Sequence, residues 1–240
     1  MQVLPEDNYS VAGATTGHDN SNNGLLGLQY PGLQDQISEF LSSHQDGGVD
    51  QAALYVVWAG ANDLFILLQS GGNPIDLIAN GVNNVAHAIA SLGGAGARQI
   101  LVVNVAELGL TPFGINSGIN GQISLLCAAY NHALEATLDG LAIDGIPTIR
   151  VDAFATLHVM DTPAFFGFAN VTESFLATGG DPSEFLFWDA VHPTTRGHEL
   201  LADAARNQLI NYFSPRCGKD TPPASVNALN GLVNAGKGSP

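Results

Sequence analysis

In Phe187-Trp188-Asp189-Ala190-Val191-His192-Pro193-Thr194, near the C-terminal end of the chain, a carboxylate stands three residues before an imidazole and a proline follows. At that spacing Asp189 can accept the Nδ1 proton of His192, which fixes the tautomer whose Nε2 is ready to take a proton from a nucleophile. Asp189 would also stabilise the imidazolium, so the pair divides the work of orienter and base as in a Ser-His-Asp triad. The same string also reads as a helix N-terminus that happens to hold an acid and a histidine, because D-x-x-H is short and occurs by accident.

Far upstream, Leu54-Tyr55-Val56-Val57-Trp58-Ala59 is a continuous β-prone run of the kind buried on both faces of a sheet, and it stops at Gly60-Ala61-Asn62-Asp63. Such a strand delivers Asn62 at its carboxyl end, the edge of open parallel sheets where ligands bind, and a primary amide there can donate to a developing oxyanion. The competing role is that Asn62 or Asp63 caps a helix beginning at Leu64-Phe65-Ile66. Tyr9-Ser10-Val11-Ala12-Gly13-Ala14-Thr15-Thr16-Gly17 reads as the end of a short strand breaking into a small-residue turn, where a ligand could approach the backbone.

The elements that must hold these groups follow from periodicity. Leu33, Ile37, Phe40 and Leu41 give an amphipathic helix over Leu33 to Ser43. Asn73-Pro74 reads as an N-cap with proline at the first helical position, opening a helix with Ile78, Val82, Val85, Ile89 and Leu92 on one face until Gly93-Gly94. Gln99 to Val105 is a second buried strand. A long helix carrying Ile123, Leu126, Cys127, Tyr130, Leu134, Leu138 and Leu141 leads to a third strand from Pro147 to Asp152, and Thr195 to Phe213 closes the pattern as a helix. Alternation of this kind predicts a parallel sheet with helices on both faces. The phenylalanine-rich stretch from Phe154 to Phe187 has no clear period and reads either as the lining of an acyl pocket or as core under a long connection.

Composition narrows the partners. Acidic residues outnumber basic ones 22 to 7 and the net charge is -15, a field that repels phosphate backbones and makes nucleic acid an unfavourable partner. No apolar run reaches the ~18 residues of a membrane span. No basic region followed by an apolar segment opens the chain, so no signal peptide is visible. The seven histidines and the two cysteines, Cys127 and Cys217, show no metal-ligand spacing, so no metal or other cofactor is expected, and the cysteines allow one internal disulfide at most.

Taken in order, Asn8 to Thr15, Trp58-Ala59-Gly60-Ala61-Asn62-Asp63 and Trp188-Asp189-Ala190-Val191-His192-Pro193-Thr194 resemble three of the four signature blocks of the SGNH hydrolases, the GDSL-type esterases and lipases, with wording nearest the bacterial esterase, lipase and phospholipase branch. The resemblance implies a three-layer α/β/α, flavodoxin-like parallel sheet, with hydrolysis of short-chain acyl esters or lysophospholipids as the activity. It implies Gly13 (backbone N–H) and Asn62 (side-chain amide) as oxyanion donors, and Asp189 with His192 as the catalytic pair. An extracellular or periplasmic location goes with the family. The departure is that Gly-Asp-Ser, which carries the family's nucleophile on the first strand, occurs nowhere in the chain.

Three readings follow. One is an N-terminally shortened esterase that is catalytically weak and lacks its first strand. A second makes Ser10, three residues before Gly13, a substitute nucleophile. A third is a non-catalytic descendant that binds esters or glycans, or that forms a homodimer through the open sheet edge. The expected organisation is one hydrolase-like domain over residues 1–215 and a loosely docked or disordered tail over 216–240.

Overall fold

The computed structural model describes residues 7–24, 27–44, 48–162 and 166–214. Cys217 and the 216–240 tail lie outside the described residues, so the expectations for a disulfide and for the tail are not addressed. The contacts divide the chain into two units, Met1–Val105 with Leu126–Arg150, and Ala106–Leu125 with Val151–Pro240.

The first unit is the parallel-sheet part of an α/β fold. Helix α1 (Leu33–Ser43) precedes strand β1 (Leu54–Trp58), followed by α2 (Ala61–Ser70), α3 (Pro74–Ala95) and β2 (Gln99–Val103). The chain then runs through the short α4 (Pro112–Asn116), which belongs to the second unit, and the long α5 (Asn120–Ile143), which belongs to the first from Leu126 on, to reach β3 (Thr148–Val151). The sheet order is β1-β2-β3, and β1 pairs parallel with β2 in register from Leu54 opposite Gln99 to Trp58 opposite Val103. Ile100, Leu101, Val102 and Val103 of β2 are all buried, each such side chain contributing roughly 1.5–3 kcal/mol of apolar burial. Helices α1 and α2 both pack on α3. The start of α3 is as the sequence predicts, with Pro74 in the first turn and the Asn73 side chain accepting from the Ile75 N–H at 3.0 Å. The helix runs past Gly93-Gly94 to Ala95 and ends on Gly96 in the left-handed conformation.

The expected strand around Tyr9 is not formed. Residues 8–13 have no strand structure, and Ala14 makes only an isolated bridge to Asn20. Side-chain amides capture this backbone instead: Asn20 and Asn22 each donate through Nδ2 to Ala12 O at 3.0 Å, and Asn8 Oδ1 accepts from the Ser10 N–H. β1 is therefore at the edge of its sheet among the described residues. Its Val56 and Trp58 are exposed, so the expectation of a strand buried on both faces is not met.

The second unit contains α6 (Ala153–Met160), β4 (Asn170–Ser174), the one-turn α7 (Phe175–Thr178), β5 (Phe185–Phe187) and the closing α8 (Thr195–Phe213). β4 and β5 pair parallel, with Asn170 opposite Phe185 and Ser174 opposite Phe187. Phe168, Phe185 and Phe187 are core while Phe154, Phe166 and Phe175 are half-buried, and Phe175 packs between Phe185 and Trp188. Phe165 lies outside the described residues. Among the described residues no helix is long and apolar enough to cross a membrane, and no cluster of His, Cys, Asp and Glu could hold a metal ion.

Candidate active site

The Asp189-His192 turn grows directly from β5. Three buried residues end at Phe187, and the chain then doubles back, with the Trp188 N–H donating to His192 O at 2.8 Å and the Thr194 N–H to Leu186 O at 2.8 Å. The Phe113 N–H binds Ala190 O at the tip, also at 2.8 Å. Thr194 closes the turn by donating its hydroxyl to Phe185 O at 2.8 Å and accepting from the Gly197 N–H as N-cap of α8. The helix N-terminus and the acid-imidazole pair are thus one construction.

Within the turn, the Asp189 carboxylate is held from three sides. Oδ1 accepts from the backbone N–H of His192 at 2.7 Å and of Val191 at 2.9 Å, and His192 Nδ1 lies 2.8 Å from Oδ2 and 3.0 Å from Oδ1. Partial burial alone would push the carboxyl up, but these donors together outweigh it and hold Asp189 below its ordinary value. The ionised carboxylate requires Nδ1 to carry the proton. Nε2 is then the basic nitrogen, and no group among the described residues occupies it. The imidazole side chain is 71% exposed, so an incoming molecule can reach it.

In the first unit, Gly60 turns the corner between β1 and α2. Its φ is +126°, and a Cβ there would stand 2.8 Å from Tyr130 Oη and 2.9 Å from Val105 Cγ2, so the close approach and the backbone conformation both demand glycine. Gly60 is also the N-cap of α2, which begins at Ala61. Asn62 and Asp63 thus sit inside the first turn, and the expectation that one of them caps a helix starting at Leu64 is corrected. Their side chains are turned to the loop instead: Asn62 Nδ2 donates to Ala14 O at 2.9 Å, and Asp63 accepts from the Thr16 N–H and hydroxyl at 2.9 and 2.6 Å. One N–H of the Asn62 amide is used in this way, and among the described residues nothing accepts the second.

Gly13 adjoins Ala14, so the structure brings Gly13 and Asn62 together. Its φ is +83°, and an added Cβ would fall 2.4 Å from both Asn20 Oδ1 and Asn22 Nδ2. Its carbonyl accepts from the Ser21 N–H at 2.8 Å, and among the described residues nothing accepts its own N–H. Ser10 lies in the irregular segment before this turn, exposed, with its hydroxyl donating to Asn8 Oδ1 at 2.6 Å. A groove of about 340 Å³ opens beside the same helix start, lined by Asp63, Ile66, Leu67, Leu77, Asn80 and Gly81 among others. Asp63 and Thr16, 47 residues apart, are the contact that sequence reading missed. The only signal was the adjacency of Asp63 to Asn62 at a strand tip.

The sequence is similar to known proteins over most of its length. The profile of the GDSL-like Lipase/Acylhydrolase family matches residues 4–205. A GDSL esterase/lipase of Arabidopsis thaliana is 27% identical over 87% of this chain and 65% of its own length. A protein from the trpE-trpG intergenic region of Pseudomonas putida is 31% identical over 67% of this chain and 29% of its own length. The chain thus spans less than two thirds of either relative. Among solved structures, a catalytic mutant of an acetylxylan esterase from Geobacillus stearothermophilus aligns with 72% of this chain and 67% of its own, at 14% identity and a TM-score of 0.45, too loose to bear on substrate or fold. The profile match, which spans the Gly13, Asn62 and Asp189-His192 segments alike, places this chain in the GDSL-like lipase/acylhydrolase family.

Proposed function

We propose that the protein hydrolyses carboxylic esters, with short-chain acyl esters or lysophospholipids as substrates. The observation that carries this reading is the Asp189-His192 pair: a carboxylate held below its ordinary value, bonded to Nδ1, with Nε2 unoccupied and accessible. In the reaction, Nε2 of His192 takes the proton of an attacking hydroxyl as that oxygen bonds to the ester carbonyl carbon. The carbonyl π electrons move to oxygen, and the Gly13 N–H and the free N–H of Asn62 donate to the resulting oxyanion. Collapse re-forms the carbonyl and breaks the bond to the leaving alkoxide, which receives the proton from Nε2. If the hydroxyl belongs to a side chain, water releases the acyl group by the same sequence.

Ser10 remains the candidate nucleophile within the chain, and the alternative is a water molecule or a serine elsewhere. Loss of a triad member still allows roughly 10³-fold acceleration over water through binding and the oxyanion donors, so weak turnover fits the same site.

The test is hydrolysis of 4-nitrophenyl acetate and butyrate by the purified chain beside His192→Ala and Ser10→Ala. Turnover abolished in His192→Ala supports the proposal, and equal rates in all three proteins refute it. A silent Ser10→Ala beside an inactive His192→Ala assigns the nucleophile to water or another serine.

A further inference from the structure

The Gly13–Thr16 turn has little internal structure to keep its N–H groups aimed, yet its second half is gripped from outside. Asp63 accepts two bonds from Thr16, through the N–H and the hydroxyl. The Thr16 hydroxyl also accepts from Asn84 Nδ2 at 3.2 Å, and Gln34 Nε2 ties Thr16 O at 3.0 Å to Asn84 O at 2.9 Å. His87 Nδ1 lies 2.9 Å from Gln34 Oε1 at the far end of this chain of bonds. Thr16 is fully buried and Gln34 nearly so. Elements α1, α2 and α3 thus all converge on one threonine three residues beyond Gly13. Asp63 keeps its carboxylate half-buried there although burial pushes its carboxyl up against the lowering by Thr16.

We infer that Asp63 is a positioning residue: through Thr16 it fixes the turn so that the Gly13 N–H and the Asn62 amide, itself bonded to Ala14 O between them, are presented as a matched donor pair. Successive residues of α2 grip alternate residues of the turn, Asn62 on Ala14 and Asp63 on Thr16, which sets both its position and its rotation. Asp63 touches neither substrate nor oxyanion. This inference rests on the reading of Gly13 and Asn62 as oxyanion donors.

The experiment pairs amide ¹⁵N–¹H spectra with ester kinetics for the full chain, wild type against Asp63→Ala, Asp63→Asn, Thr16→Val and Thr16→Ser. The expected result is that the Thr16 and Gly13 amides both shift in Asp63→Ala and Thr16→Val while remote amides stay in place. In the same variants kcat falls about 10- to 100-fold, the scale of a misplaced catalytic group, with KM within about twofold. Thr16→Ser, which keeps the hydroxyl, restores both readouts. A Gly13 resonance that ignores Asp63 overturns the positioning whatever the rates do. So does kcat within twofold of an active wild type in Asp63→Ala and Thr16→Val. If wild type lacks turnover while the Gly13 amide still follows Asp63, the ester reading falls and the positioning stands. Should Asp63→Ala fail to fold, Asp63→Asn and Thr16→Val carry the same comparison.

Discussion

Asp189→Asn isolates what the carboxylate contributes beyond shape. The asparagine Oδ1 can still accept the His192 and Val191 N–H groups now held at 2.7 and 2.9 Å, so the turn keeps its backbone bonds. The change falls on the second oxygen: an amide NH₂ then faces Nδ1 where Oδ2 now sits at 2.8 Å. Two N–H groups cannot bond to each other, so the ring must present Nδ1 unprotonated and carry its proton on Nε2, the tautomer that cannot act as a base. In a buried triad this substitution costs about 10⁴ in kcat. Here the imidazole is 71% exposed, water screens the imidazolium and the charge part is weaker. The tautomer part survives, and the expected loss is about 10²- to 10³-fold in kcat, or roughly 3–4 kcal/mol at about 1.36 kcal/mol per decade. The assay is kcat and KM for a 4-nitrophenyl ester at pH 8, with thermal unfolding followed by circular dichroism. A fall in kcat with KM and melting temperature nearly unchanged is predicted. Retention of activity within about threefold would refute the reasoning, because it would mean that the pair does not set the tautomer of a catalytic base.

Other substitutions probe the frame. Gly13→Ala forces a side chain at φ +83° into Asn20 and Asn22, and both a lower melting temperature and at least a ~100-fold loss of kcat are expected as an oxyanion donor is displaced. Tyr130→Phe removes a hydroxyl that is fully buried with no hydrogen-bond partner among the described residues, so chemical denaturation should show stability unchanged or raised, by up to about 1–3 kcal/mol. Gly60→Ala meets Tyr130 and Val105 at under 3 Å and should lower stability by roughly 2–4 kcal/mol in the same assay. The pH dependence of stability separates two aspartates. Asp63 holds its proton more tightly folded than unfolded, so its contribution is present below about pH 3.9 and is lost as pH rises through its folded value. Asp189 is lowered, so its contribution is present above about pH 3.9 and is lost as pH falls through its folded value. Asp63→Asn should therefore flatten a fall in stability toward neutral pH, and Asp189→Asn a rise, both read from melting temperatures between pH 3 and 7.

The parts legible in the sequence are those whose signal is local. Helix α1 and α8 match the apolar spacing read over Leu33 to Ser43 and Thr195 to Phe213, and Asn73-Pro74 announces α3 because cap and proline act within one turn. Asp189 and His192 were found together because three residues of chain suffice to bond them. The opening segment misled because Tyr9 and Val11 favour strands, whereas side chains from Asn8, Asn20 and Asn22 bind the backbone that a ladder would have used. Strand β4 was not legible: Asn170-Val171-Thr172-Glu173-Ser174 is mostly polar, and its pairing with β5 is a tertiary choice that no period encodes. The Asp63-Thr16 bonds were hidden for the same reason, since nothing in either neighbourhood names a partner so far along the chain.

The proposed function has His192 and the amide of Asn62 act on one transition state, and a double-mutant cycle on kcat/KM for 4-nitrophenyl butyrate tests that proposal most directly. The account predicts that His192→Ala and Asn62→Ala each lower kcat/KM by about 10²-fold or more and that the double variant loses far less than the product of the two. Two losses that multiply cleanly, or a His192→Ala protein as fast as wild type, would contradict it.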